Sequence, residues 1–153
     1  MKPAARLILF TEGLDGQHGG IQRVTRCAME ALAAEPTPSA VWSANDAGGG
    51  VSPPQVRVRG FARRYARMAL AALLATPSCR KEAPLVCWHL RLAPVAALLS
   101  WRMRRPFRVF LHGIEAWGAL SPRVRWAMGR ANFLGANSEY TLHRFRAAHP
   151  CFS

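Results

Sequence analysis

Arg6-Leu-Ile-Leu-Phe-Thr11, a glycine-bearing loop over 12–20, Ile21 to Ala34 and then Ala40-Val-Trp42 decide the fold. The first segment is a short continuous apolar run closed by turn residues, the pattern of a strand buried on both faces. In the third, Ile21, Val24, Ala28, Met29, Ala31 and Leu32 alternate with arginines in the manner of an amphipathic helix. Pro36 and Pro38 stop it, because proline has no N–H to continue the ladder. Strand, helix and strand joined by short connectors make a βαβ unit, and so a parallel sheet.

The same alternation runs outward from that unit. Val56-Arg-Val58 is a short strand, and Phe61 to Ala75 reads as a helix rich in alanine and leucine, with Arg59, Arg63, Arg64 and Arg67 at its start. Leu85-Val-Cys-Trp88 is a strand, Leu92 to Met103 a helix with Pro94 in its first turn, and Phe107 to Leu111 a strand ending at His112-Gly113. Ser121-Pro122 opens another helix as cap and first-turn proline; Asn132 to Ala136 is a last strand. Ser138 caps a last helix that runs to Ala148 and halts at Pro150. The expectation is a single domain over 1–153 of the α/β class, a Rossmann-like parallel sheet with helices on both faces. Functional residues of such sheets lie just past the carboxyl ends of the strands. Here those positions are Glu12 to Gly20, Asn45-Asp46, His89, His112 to Glu115, and Asn137 to Glu139.

Composition narrows the classes. Half of the 153 residues are hydrophobic, enough to bury a core. Lys plus Arg number 21 against 8 Asp plus Glu, a net charge of +13 carried almost wholly by arginine. Such a chain is drawn to polyanions: nucleic acid, anionic lipid or phosphorylated substrates. The longest mostly apolar stretch, Met68 to Thr76, falls far short of the roughly 20 residues of a spanning helix. No leader pattern opens the chain, and Cys27, Cys79, Cys87 and Cys151 lack metal-site or disulfide spacing. Reduced thiols in the cytoplasm are the expectation, with neither metal nor cofactor.

Four strand-end segments carry chemistry. Gly19-Gly20 at the mouth of the first helix allows backbone N–H groups to approach a phosphate, or simply satisfies a turn. The spacing is neither GxGxxG nor a Walker loop. His112 and Glu115 place an imidazole and a carboxylate three residues apart, able to bind a hydroxyl, or to serve as a satisfied histidine and a helix-start residue. His89 adds a polar tip at the preceding strand end. Asn137 and Ser138 precede the last helix, where Ser138 reads as its cap. The arginines 59, 63, 64 and 67, interleaved with Phe61, Tyr65 and Met68, suit an anionic membrane surface or a solvated helix face.

Taken in order, Gly19-Gly20-Ile-Gln-Arg-Val24, His89, Leu111-His112-Gly113-Ile-Glu115 and Ala136-Asn137-Ser138-Glu139-Tyr140-Thr141 resemble the N-terminal half of family 4 glycosyltransferases. The resemblance spans roughly residues 5 to 150. It implies one half of a GT-B two-domain architecture and retaining hexosyl transfer from a nucleotide sugar. By that resemblance Gly19 and Gly20 lie against the donor diphosphate, and His112 stands by the transferred sugar as the catalytic residue. His89, Glu115, Asn137 and Ser138 would line the acceptor side. The acceptor is a saccharide or lipid-linked molecule, met at the inner face of a membrane. The family's C-terminal donor-binding half is not in this sequence, which stops at Cys151-Phe-Ser153. The chain alone is therefore expected to be inactive and prone to self-association.

Two other readings compete. A nucleic-acid-binding module would draw on the +13 charge. It is disfavoured because Trp42, Trp88 and Trp101 fall in expected core elements and no nucleic-acid signature is present. A dinucleotide oxidoreductase would set Asp46 on a ribose, and the glycine spacing argues against it.

Overall fold

Ile8–Thr11 form β1, buried along its whole length. A computed structural model describes residues 7–14, 20–36, 38–47, 53–74 and 84–152 of the chain. Gly20–Ala34 form α1, Ser39–Ser43 β2, Val56–Gly60 β3 and Tyr65–Leu74 α2. Leu85–Cys87 form β4, and a single 3-10 turn over Leu90–Leu92 leads into α3, Ala93–Met103. Phe107–Leu111 form β5, Pro122–Met128 α4, Phe133–Ala136 β6 and Glu139–Ala148 α5.

All six strands are parallel, in the order β3-β2-β1-β4-β5-β6. That is the Rossmann-like arrangement expected from the alternating sequence. The direction of winding reverses between β1 and β4, which opens a crevice at their carboxyl ends.

Strand alternation divides the core. Leu9, Val41 and Val56 turn to one face, where Met29 and Leu32 of α1 cover them. Ile8, Phe10, Trp42, Leu85, Cys87, Phe107 and Val109 turn to the other. There they meet Met68 and Ala72 of α2, the alanine- and leucine-rich side of α3, and Ala127 and Met128 of α4. Buried apolar surface of this kind stabilises by roughly 25 cal/mol per Å², so the larger cluster dominates. Among the described helices, none is long and apolar enough to cross a membrane.

Both expected serine caps form. Ser121 Oγ accepts from Val124 N–H at 3.4 Å, and Ser138 Oγ accepts from Thr141 N–H at 3.1 Å. Two expectations fail. The helix expected from Phe61 begins at Tyr65 instead, because Ala62 and Arg63 take left-handed conformations with φ of 49° and 61°. Their N–H groups donate to the carbonyls of Asp46 and Ala44, tying a turn to the end of β2. Arg59 accordingly belongs to β3 and not to a helix. Trp101 is not a core residue: it is 70% exposed.

Candidate functional site

Parallel pairing brings four polar strand ends side by side. Glu12 directly follows β1, His112 follows β5 and Asn137 follows β6, while His89 lies two residues past the end of β4. Nε2 of His89 lies 3.3 Å from Glu12 Oε2, and Arg91 reaches the other carboxylate oxygen at 3.5 Å. Glu12 and His89 thus meet across the crevice between β1 and β4.

His112 is held by its backbone. Its N–H donates to Glu115 Oε1 at 2.7 Å, and its carbonyl accepts from Asn137 Nδ2 at 2.9 Å. Gly113 follows with φ 143°, a conformation that L side chains rarely adopt, so the chain turns sharply just past the histidine. The ring itself packs against Trp88 at 5.0 Å and Phe110 at 5.2 Å, while Trp88 and Phe110 stack at 4.8 Å. Gly135 permits that stack. A Cβ there would sit 3.1 Å from the Phe110 ring and drive it toward Trp88.

Both histidines are buried, His89 at 6% and His112 at 8% exposure. Burial lowers the pKa of each, since the charged form loses its hydration. Glu12 and Glu115 pull His89 back up, and Arg91 pushes it down; Glu115 and the Trp88 backbone raise His112, and His89 lowers it. Both imidazoles are therefore neutral at pH 7. A carboxylate only accepts, so the proton of neutral His89 belongs on Nε2, facing Glu12, and Nδ1 keeps a lone pair. That Nδ1 and both ring nitrogens of His112 are buried with no side-chain hydrogen-bond partner, and only the backbone of Trp88 bears on the His112 ring. Buried polar atoms left unpaired cost free energy, and these lie just past the ends of two adjacent strands.

No protein-family model, curated protein or solved structure matches this chain. Its geometry alone carries the functional reading.

Chemically, the site offers the Nδ1 lone pair of His89, a donor and an acceptor on neutral His112, and the carboxylates of Glu12 and Glu115, a set suited to hydroxyl groups. Among the described residues no three metal-ligating side chains gather. Burial pushes the nearby Cys87 thiol up to about 12, so it is no nucleophile at neutral pH.

The structure brings His89, His112, Glu115 and Asn137 together. Ser138 stands beside them but spends its hydroxyl on the α5 cap and on Thr141 Oγ1 at 3.0 Å. Gly20 is the exposed first residue of α1, and Gly19 lies outside the described residues. The arginines are set apart, beyond β1 and β2. Arg59 lies over Trp42 and Phe61 at 5.3 and 5.1 Å, and shares a ≈170 Å³ hollow with Arg67. Arg63 sits in the turn and Arg64 just before α2, both exposed. The Asp46 carboxylate already accepts from Ser43 Oγ at 2.6 Å and Leu14 N–H at 2.8 Å, closing the loop after β1.

Glu12 belonged to the strand-end positions expected from the sequence, whereas Arg91 and Trp88 were not singled out as site members. The first position after an opening strand is the one signal that marks Glu12. Arg91 and Trp88 carry no such signal.

Proposed function

We propose that the chain is the acceptor-side domain of a hexosyltransferase. It works with a donor-binding half to move a hexose from a nucleotide sugar to a saccharide or lipid-linked acceptor. The observation that supports this reading is His112: a neutral imidazole clamped through its backbone at a strand end, with no side-chain partner on either ring nitrogen. A group so placed hydrogen-bonds a sugar hydroxyl without first shedding a side-chain partner, and preorganised polar groups lower the reorganisation cost of a transfer step. His89, held against Glu12, offers its Nδ1 lone pair to a hydroxyl of the acceptor. Glu115 and Asn137 act as positioning residues through the His112 backbone. Gly20, the first residue of α1, faces the donor diphosphate together with Gly19 before it in sequence, where the helix field favours negative charge. The exposed arginines 59, 63, 64 and 67 hold the domain to an anionic membrane surface on its cytoplasmic side.

Histidine side-chain NMR tests the reading. Saccharides titrated to tens of millimolar should shift the His112 and His89 resonances while leaving exposed His143 unmoved. In Glu115→Ala, which releases the His112 N–H at a cost of about 1–3 kcal/mol, the saccharide shift should shrink severalfold. Resonances that no hexoside moves would overturn the proposal.

A further inference from the structure

An apolar trough runs along the outer side of the helical layer, starting beside the polar crevice. Two adjoining hollows of ≈490 and ≈410 Å³ make it up, and they share Pro94, Leu98 and Arg123. Each is within the roughly 300–1,000 Å³ of small-molecule sites. Ala69 of α2, Leu98 of α3 and Val124 of α4 form walls, and Trp126 stands at the outer end. The inner end reaches Arg91, whose guanidinium contacts Glu12 of the crevice at 3.5 Å. The first turns of α2, α3 and α4 all contribute, so the trough opens on the carboxyl side of the sheet, as the crevice does.

Among the described residues, two charged side chains line it, Arg91 and Arg123, and both are cationic and exposed. Arg123 has no ion-pair partner among the described residues. The polar wall atoms are few and engaged: Ser121 Oγ caps α4, and Tyr65 hydroxyl reaches Asn45 at 3.5 Å. An extended peptide laid here would leave the amides that face these walls unpaired. A hydrocarbon chain has no amides to satisfy and gains free energy with each methylene it buries.

We propose that this trough binds the hydrocarbon chain of a phosphorylated lipid, with the phosphate held between Arg91 and Arg123. The identification of that lipid as the acceptor rests on the transferase reading; the binding site itself does not.

Titration with dodecyl phosphate below its micelle threshold, read by tryptophan fluorescence, tests the site. The native chain should show saturable binding, with the signal lost in Trp126→Phe. Inorganic phosphate and dodecanol should each bind at least tenfold more weakly. Arg123→Glu, a change at an exposed position, should weaken dodecyl phosphate at least tenfold and leave dodecanol unchanged. Ala69→Trp, which fills the trough, should weaken both, with circular dichroism confirming its fold; if it misfolds, Arg123→Glu still decides. Equal affinity for inorganic phosphate, or an unchanged affinity in Arg123→Glu, overturns the proposal. So does binding to phosphatidylglycerol vesicles that matches dodecyl phosphate and vanishes only when Arg59, Arg63, Arg64 and Arg67 are replaced. Dodecyl phosphate bound by a chain whose His112 ignores saccharides would keep the trough and remove the transferase.

Discussion

His89 and His112 hold their protons under opposed influences, and desolvation prevails over the carboxylates beside them. Free histidine titrates near 6.5. Below that pH the unfolded chain takes up protons that these two rings still refuse, so the folded state loses ground as pH falls toward their lowered values. Above it neither state binds the protons, and stability is flat on their account. The urea midpoint should therefore drop as pH goes from about 6.5 to 5, and the double variant His89→Gln, His112→Gln should flatten that slope. An unchanged slope in the variant would refute the assignment. At this scale the sequence reveals His112, Glu115 and Asn137, because each sits within a residue or a turn of a recognisable strand end. The Glu12–His89 pair is invisible there, since its contact depends on β1 lying next to β4, and local pattern carries no strand order.

Element boundaries show where periodicity misleads. Arg59, Arg63, Arg64 and Arg67 have spacings that fit a helix, yet the first belongs to a strand whose alternate residues Arg57 and Arg59 are exposed. Burial of Phe61 beneath Arg59 and the paired left-handed residues hold the chain in a turn before α2 can start. Nothing in the types alanine and arginine announces that turn, because both favour helix. The left-handed region costs an L residue roughly 1–2 kcal/mol, part of which glycine returns as unfolded-state entropy. Ala62→Gly at this exposed site should therefore stabilise the protein by a few tenths to about 1 kcal/mol, measured by chemical denaturation. A loss of stability would show that the turn is not strained. The serine caps were legible for the opposite reason: capping is a local hydrogen bond between residues three apart.

For the whole molecule, a charge of +13 on 153 residues sets the balance between attraction to anions and repulsion within the fold. Compacting like charges is unfavourable, and salt screens it over a Debye length of about 10 Å at 0.1 M. The melting temperature should rise by a few degrees between about 0.05 and 0.5 M sodium chloride; a fall would mean that the few ion pairs outweigh the repulsion. The α/β class was legible from the order of elements alone, whereas the unequal covering of the two faces depends on which crossovers pass over which side. The winding reversal that sets Glu12 against His89 also has a cost in time. On the ribosome, β2 and α1 reach β1 early, but its other neighbour starts only at Leu85. At about 5–20 residues per second, one edge of the sheet's central strand waits several seconds for its partner. A nascent chain in that interval carries an unpaired hydrophobic edge, the form most open to capture by chaperones or by another copy of itself.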